Sequence, residues 1–331
     1  MFSKKVLAIG LVATISLAGC AAVTQLTSDP VPTNVLSGRE GTNGPVLVVK
    51  IDDTSAAHPQ VGLEDADIVY IEQVEAGLTR LAAVFSSHIP QRIGPVRSAR
   101  ISDIEILAQF GRVAFAYSGA QRKLLPVIAS AKLQDLGAQR QSPTIYTTDP
   151  NRFAPYAMVL RADLLMQRVI EQGYQVDTAK DVGFIFGDLQ DGGVDTTKVE
   201  IRWPSAKYSA QWSEEESRWL LTHNDSLNLS EAGKVLGPTT FIIQLVSITP
   251  SEYGDKFGGV TPFSNTIGTG TAYVLRDGQR FTTTWSRSSA ESGTRFTLPN
   301  GEVMNFDPGQ IWIALTDREP VFTSPAPVKS K

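Results

Sequence analysis

Residues 46–103 constrain the fold most, because they combine three strand-like runs with an unusual concentration of charged residues. Residues 46–51 are apolar except for Lys50, and residues 68–74 and 80–85 are further runs of similar length. Short apolar runs bounded by turn residues are typical of buried strands. Acids lie near the ends of the first two runs and arginines follow, so this segment predicts a sheet with a charged edge.

The rest of the first half mixes helices with strands. Apolar residues at helical spacing predict helices over residues 98–110, 121–132 and 156–172, the second of them disturbed by Pro126. Residues 113–117 predict a fourth strand. This order of elements indicates a mixed α/β domain.

The second half predicts a mostly β domain. It contains short strand-like runs punctuated by turns: residues 198–203, 208–212, 218–222, 239–248, 271–275, 281–285 and 311–315. Asp277-Gly278 and Asn300-Gly301 favour tight hairpins, because both dipeptides tolerate positive φ. The five tryptophans, all in this half, could form a platform for sugars or fill the core of the domain.

The predicted fold class is therefore α+β, with a mixed domain over residues 45–190 and a β-rich domain over 195–318. Residues 187–195 are rich in Gly and Asp and mark the boundary. Residues 21–44 lack periodicity and predict a flexible tether, and residues 319–331 predict a disordered tail.

The first 20 residues predict a lipoprotein signal peptide. Two lysines precede an apolar run that is too short to span a bilayer, and the run ends in Leu17-Ala18-Gly19-Cys20, which resembles a lipobox. Cys20 is the only cysteine, which excludes a disulfide within the chain and a metal site built from cysteines. We expect an extracytoplasmic protein attached to the membrane by a lipid on Cys20.

Charge excludes one class of partner. Removal of residues 1–19 leaves 28 of the 30 basic residues against 34 acidic residues, a net charge of −6. Nucleic-acid binding needs a basic face that neutralises phosphates, so no nucleic-acid partner is expected. The composition also lacks a polybasic membrane patch, which leaves membrane attachment to the lipid.

Six short motifs give the chain a specific resemblance. They are Lys50-Ile-Asp52, Pro59-Gln-Val-Gly-Leu63, Ala66-Asp-Ile-Val-Tyr70, Glu75-Ala-Gly77, Thr79-Arg80 and Gly94-Pro-Val-Arg-Ser-Ala-Arg100. Together with Pro308-Gly309-Gln-Ile-Trp312 in the second half, they resemble the YerB-like lipoprotein family. The resemblance implies a bacterial two-domain protein of unknown biochemical function, and it assigns no catalytic residue.

Familiar catalytic motifs are absent from the sequence. It contains no His-Glu-x-x-His, no Gly-x-Ser-x-Gly, no phosphate loop and no Ser-x-x-Lys. The three histidines, His58, His88 and His223, are scattered, so the sequence predicts structural or surface histidines, no metal site and no cofactor.

The remaining candidates for chemistry are charged residues at the predicted sheet edge: Asp52, Asp53, Glu72, Glu75, Arg80, Arg97, Ser98 and Arg100. Paired carboxylates can act as acid and base or hold a hard cation, and arginines bind carboxylate, phosphate or sulfate. A network of internal salt bridges is the structural alternative. Arg97-Ser98-Ala99-Arg100 also leads into a predicted helix, whose N-terminus either receives an anion or is capped by Ser98.

The expected function is the binding of a ligand or partner in the cell envelope, with Asp52, Glu72, Glu75, Arg97 and Arg100 as first candidates. Two alternatives remain open from the sequence. One is an envelope glycan or ester hydrolase that uses Asp52 or Glu72 with Glu75. The other is a passive assembly scaffold, in which the arginines matter only for stability. Whether the chain is an enzyme is left open, and binding is the favoured interpretation.

Overall fold

The computed structural model describes residues 31–255 and 258–326, and from Pro32 onwards these form one compact unit. The predicted signal peptide with Cys20, the first part of the predicted tether and the end of the predicted tail lie outside the described residues. Strands dominate the described chain and helices are few. None of the helices described is long and apolar enough to span a membrane.

The first half of the chain contributes nine strands and three helices to the described residues. The strands are β1 (Leu47–Asp52), β2 (Ile68–Gln73), β3 (Thr79–Phe85), β4 (Arg92–Ile93), β5 (Ala114–Ala116), β6 (Gln134–Asp135), β7 (Tyr146–Thr148), β8 (Met158–Arg161) and β9 (Ile185–Phe186). The helices are α1 (Ile101–Ala108), α2 (Leu125–Ser130) and α3 (Ala162–Glu171). Four short 3-10 turns lie at Ser55–Ala57, Leu63–Asp65, Glu75–Gly77 and Ala138–Arg140.

The second half is built from strands. They are β10 (Val194–Asp195), β11 (Lys198–Trp203), β12 (Ala206–Ser213), β13 (Arg218–His223), β14 (Ser226–Leu227), β15 (Thr240–Leu245), β16 (Ile248–Gly254), β17 (Val260–Ser264), β18 (Gly268–Arg276), β19 (Gln279–Arg287), β20 (Arg295–Thr297), β21 (Asn305–Phe306), β22 (Ile311–Thr316) and β23 (Val321–Thr323). Asp277 and Gly278 join β18 to β19 with positive φ at both residues, as expected for that dipeptide.

One sheet runs through both halves. Its order is β10-β19-β18-β15-β22-β2-β3-β1-β5-β6, with β20 paired to β19. The halves meet where β22 pairs in parallel with both β2 and β15. A second sheet, in the order β14-β13-β12-β11-β23, belongs to the second half. The domain boundary predicted at residues 187–195 therefore separates two halves that share one sheet.

Two apolar cores lie on opposite faces of the main sheet, because side chains alternate along each strand. Val49 and Ile51 of β1 belong to a core that includes Tyr208 and Trp219 of the second sheet. Val48 of the same strand belongs to the other core, which includes Ile106 of α1. One face is thus covered by the second sheet and the other by α1, an arrangement that decides where each charged residue of β1–β3 points.

Some boundaries differ from the sequence predictions. Residues 158–161, expected in a helix, form β8 because they pair with β4 and β7, and this tertiary pairing outweighs the local helical pattern. Residues 239–248 divide into β15 and the start of β16. Four of the five tryptophans, Trp203, Trp219, Trp285 and Trp312, are buried, so core filling describes them better than an exposed sugar platform.

The described parts of the predicted tether and tail adopt defined structure. Leu36 is buried in the core beneath α1, and the side chain of Asn34 donates hydrogen bonds to the Thr42 carbonyl and the Ser86 hydroxyl. Residues 32–44 therefore depart from the predicted flexible tether. At the other end, Val321–Thr323 forms β23 and pairs with β11 instead of continuing a disordered tail.

Candidate anion-binding cavity

The charged residues of β1, β2 and β3 are brought together by strand pairing. Arg80 of β3 lies opposite Asp52 of β1 on one side and opposite Glu72 of β2 on the other. Alternation along the strands turns these three side chains toward the face covered by α1. Asp53, one residue after β1, turns to the opposite face. The predicted constellation is therefore divided between the two faces of the sheet.

A cavity of about 710 Å³ opens on the α1 face beside these strand ends. Four arginines line it: Arg80, Arg97, Arg100 and Arg122. We call it the arginine cavity. Its wall also contains Glu75, Ser98 and Thr261. A cavity of this size is in the range typical of small-ligand sites.

Two of the arginines are paired with acids. Nε of Arg97 lies 2.6 Å from Oδ2 of Asp52, an ion pair without the alignment of a hydrogen bond. Arg100 donates from Nε to Oε2 of Glu75 at 2.8 Å, and its Nη2 lies 2.7 Å from the same oxygen. The hydroxyl of Thr261 donates to the other oxygen of Glu75. The predicted network was expected to join Glu72 and Glu75 to Arg97 and Arg100. Of these pairs, only Glu75 with Arg100 forms, since Arg97 pairs with Asp52 and Glu72 with Lys50.

Arg80 differs from these two arginines. Its Nη1 donates to the backbone oxygen of Ser98 at 3.1 Å, and within the described chain no carboxylate lies at salt-bridge distance from it. Burial, with the nearby positive charges of Arg100 and Arg97, lowers the pKa of Arg80 to about 9. The group is still protonated at neutral pH, and the charges of Glu75 and Asp52 partly oppose this lowering of its pKa. The cavity therefore contains a cation that forms no direct salt bridge within the described chain.

The N-terminus of α1 already has its own carboxylate. The backbone N–H of Arg100, the residue before the helix, donates to Oδ2 of Asp103 at 2.6 Å. Ser102 instead accepts from the backbone N–H of Ser264, and Glu105 accepts from Thr266. The N-terminus of α1 therefore interacts with an internal acid in place of a bound anion.

Glu72 lies in a buried cluster separate from the arginine cavity. Lys50, Glu72 and Asp103 have fully buried side chains, and Nζ of Lys50 contacts Glu72 and lies 2.8 Å from Oδ1 of Asp103. We call these three residues the buried triad. Burial and the nearby Asp103 raise the pKa of Glu72 to about 7, against the opposing effect of Lys50. One positive charge between two carboxylates favours a proton on one of them.

We expect Glu72→Gln to change the pH dependence of stability. The native pKa of about 7 exceeds the unfolded value of 4.5. Between these two values the native state keeps a proton on Glu72 that the unfolded chain releases. The contribution of Glu72 to stability is therefore complete below pH 4.5 and is lost as the pH rises through 7. The free energy of unfolding of the variant, measured relative to that of the wild type, should therefore rise by about 1–3 kcal/mol from pH 5 to pH 8.

Urea unfolding of the wild type, Glu72→Gln and Glu302→Gln at several pH values measures this difference. Glu302 is exposed, so its variant should follow the wild type. An unchanged difference between Glu72→Gln and the wild type from pH 5 to pH 8 would show that Glu72 does not titrate in this range.

Family comparisons cover most of the chain. Residues 32–175 match the N-terminal domain of a family described as protein of unknown function (DUF3048), and residues 199–313 match the C-terminal domain of the same family. The chain belongs to this YerB-like family. The resemblance carried by the sequence motifs is thereby confirmed.

Two comparisons with YerB from Bacillus subtilis support the assignment to the YerB-like family. In the first, this chain is 48% identical to YerB over 56 residues, which are 17% of this chain and 17% of YerB. The name of YerB provisionally describes it as a lipoprotein. The second is the crystal structure of YerB, with a TM-score of 0.76 and 18% identity, covering 88% of this chain and 99% of the other. At that identity the match shows a shared fold.

Asp53, His58 and His223 lie together on the opposite face of this YerB-like fold from the arginine cavity. His58 and His223 stack with ring centroids 4.6 Å apart, and both face Asp53. His58 and His223 are far apart in the sequence, and no sequence pattern predicted that they meet. His88 is largely exposed and lies 3.3 Å from Asp65.

Several residues of these clusters were not among the sequence candidates. Lys50 carried a usable signal, because it interrupts an apolar run and therefore needs a buried acid. Asp103, Arg122 and Thr261 carried none, since their positions depend on how α1, α2 and β17 pack in the YerB-like fold. The candidates Arg80, Arg97, Ser98 and Arg100 do meet, and they do so with Glu75 and Asp52 around the arginine cavity.

Proposed function

We propose that this chain is a lipid-anchored extracytoplasmic protein that binds an anionic ligand of the cell envelope in the arginine cavity. The lipobox at Cys20 and the provisional lipoprotein name of YerB support the location. The buried guanidinium of Arg80, which forms no direct salt bridge with a carboxylate of the described chain, supports the binding of an anion, and it is the single observation that carries the proposal. Membrane attachment would rest on the lipid, with no nucleic-acid partner.

The chemistry of the cavity defines the class of ligand. Arginine guanidinium groups bind planar carboxylates and phosphates through paired N–H donors. Arg97 and Arg100 are held by Asp52 and Glu75, so their positions are set before a ligand arrives. Arg80 and the exposed Arg122 retain the charge that a ligand would neutralise. A small phosphorylated or carboxylated envelope fragment fits these features.

The hydrolase alternative has weaker support. Glu72 lies in the buried triad, and Asp52 is paired with Arg97. Although burial opposes ionisation, Arg100 and Thr261 hold the pKa of Glu75 below its ordinary value. A general acid on a glycan needs a carboxyl group that keeps its proton near neutral pH. The arrangement around Glu75 therefore favours binding over acid catalysis.

Anion binding is tested by thermal unfolding and calorimetry of the full chain in detergent, with inorganic phosphate, sulfate and citrate as probes. We expect one or more of them to raise the midpoint, because an anion at about 100 times its dissociation constant adds roughly 2.7 kcal/mol to the native state. Arg80→Gln should abolish that rise. Without an anion, this variant should be at least as stable as the wild type, because it removes an unpaired, desolvated charge.

Arg202→Gln is the matched control, because Arg202 is exposed on β11 and does not line the cavity. It should respond to anions like the wild type. The proposal fails if none of the probes stabilises the wild type, or if Arg80→Gln responds as the wild type does. A large loss of stability in Arg80→Gln without anion would instead favour the scaffold alternative.

A further inference from the structure

A second polar cluster lies between the two sheets, on the face opposite the arginine cavity. Asp53 follows β1, His58 follows the 3-10 turn Ser55–Ala57, and His223 ends β13. Nε2 of His58 lies 3.3 Å from Oδ1 of Asp53, and Nε2 of His223 lies 3.8 Å from Oδ2. One ligand atom from each residue can be chosen so that all three lie within 4.8 Å of one another.

The separation of His58 from Asp53 equals that found in a metal site, and the separation of His223 from Asp53 is slightly longer. Donor atoms bound to a tetrahedral Zn²⁺ at about 2.0–2.1 Å lie roughly 3.3 Å apart. Two imidazoles and one carboxylate form a donor set that divalent transition metals accept. The rings of His58 and His223 stack at an interplanar angle of 7°, so one ring must turn before both can point a nitrogen at the same ion.

Gln60 offers a fourth donor. It is fully buried, and its Oε1 has no hydrogen-bond partner within the described chain. Its Nε2 lies 3.1 Å from Nε2 of His58 and 3.4 Å from Oδ1 of Asp53. A half-turn of the amide exchanges its two ends and brings the unpartnered oxygen toward both atoms. The buried oxygen would then have a partner, which is a metal ion or a water bound to it.

Two hydroxyl groups also donate hydrogen bonds to the carboxylate of Asp53. Tyr208 donates to Oδ1 at 2.7 Å, and Thr79 donates to Oδ2 at 2.6 Å. Such outer partners fix the orientation of a metal ligand. Asp53 follows β1, Thr79 belongs to β3 and Tyr208 to β12, so this support is built from both halves of the chain.

We propose that Asp53, His58 and His223, with the side-chain oxygen of Gln60, bind one divalent transition-metal ion of the Zn²⁺ class. The ion links the loop after β1, which carries His58, to β13 of the second sheet. A site with four protein ligands stabilises the fold instead of activating water. His58 is partly exposed, so its ring can turn toward the ion while buried His223 and Asp53 keep their places. The arginine cavity is not required for this site.

The test is a titration of the full chain in detergent, stripped of metal, with Zn²⁺ and with Co²⁺ as a spectroscopic probe. We expect one Zn²⁺ per chain, a higher thermal midpoint and the intense visible absorption of tetrahedral Co²⁺. Mg²⁺ and Ca²⁺ should not substitute, because both prefer oxygen ligands to imidazole. His58→Gln and His223→Gln should each weaken Zn²⁺ binding by more than about tenfold.

His88→Gln is the matched control, because His88 is exposed and lies outside the cluster. It should bind as the wild type does, and so should Cys20→Ser, which tests whether the lone thiol takes the ion. If His223→Gln does not fold, the partly exposed His58 still allows a test. Absence of Zn²⁺ binding to the wild type, or unchanged affinity in His58→Gln, would overturn the proposal.

Discussion

Replacement of Lys50 by methionine is expected to destabilise the protein by about 3–5 kcal/mol. Lys50 lies in the middle of β1, is fully buried, and is paired with Glu72 and Asp103. Methionine matches much of its volume but leaves two buried carboxylates without their cation. Removal of one partner from a buried ionic cluster costs more than the cluster contributes, because the remaining charge stays desolvated.

Chemical unfolding at pH 7 measures this effect, with Lys123→Met as the control. Lys123 is exposed, so its replacement should change the free energy of unfolding by no more than about 0.5 kcal/mol. A triple variant, Lys50→Met with Glu72→Gln and Asp103→Asn, should recover much of the loss, since it removes the buried charges together. If Lys50→Met were as stable as the wild type, the triad would not be an ionic cluster in solution.

The proximity of Asp52 and Arg80 could be inferred only in part from the sequence, because a third apolar run at residues 68–74 separates the runs near which they lie. Their strands pair as neighbours, and pairing alone sets Asp52 opposite Arg80. Alternation along a strand also separates Asp52 from Asp53. The sequence candidates were nevertheless treated as one group. The face to which each residue points predicts its neighbours only when the elements that pack on each face of the sheet are known.

Sequence patterns could not predict that His58 and His223 lie close together. It depends on the packing of the second sheet against the main sheet, and no local periodicity encodes that contact. The same holds for Lys50 and Asp103, which meet because α1 packs over β1. Local patterns specify elements and faces. Contacts between distant elements depend on packing that one sequence does not display.

The shared sheet makes the two halves of the chain depend on each other. β22 from the second half inserts between β2 and β15, so each half supplies hydrogen bonds that complete the other. The hydrogen bond from Tyr208 of the second half to Asp53 of the first half adds a side-chain link to this arrangement. A chain built in this way should unfold in a single cooperative transition, although two family domains can be recognised along its sequence.

Trp312→Ala is expected to cost about 3–5 kcal/mol and to destabilise both halves together. Trp312 lies on β22, is fully buried, and its ring nitrogen donates to Oε1 of Gln310 at 2.8 Å. Its ring lies 6.2 Å from that of Tyr208 in the second sheet, measured between centroids. Loss of the ring leaves a cavity where the two sheets and the two halves of the chain meet.

Calorimetry and urea unfolding, followed by fluorescence and by circular dichroism, should show one transition at a lower midpoint in Trp312→Ala. Phe153→Ala is the control, because Phe153 is 70% exposed and its loss should change the free energy of unfolding by no more than about 0.5 kcal/mol. Two separate transitions, with only one of them shifted, would mean that the halves fold independently. In that case the pairing of β2 with β22 contributes little to stability, and the division near residues 187–195 is a true boundary between folding units.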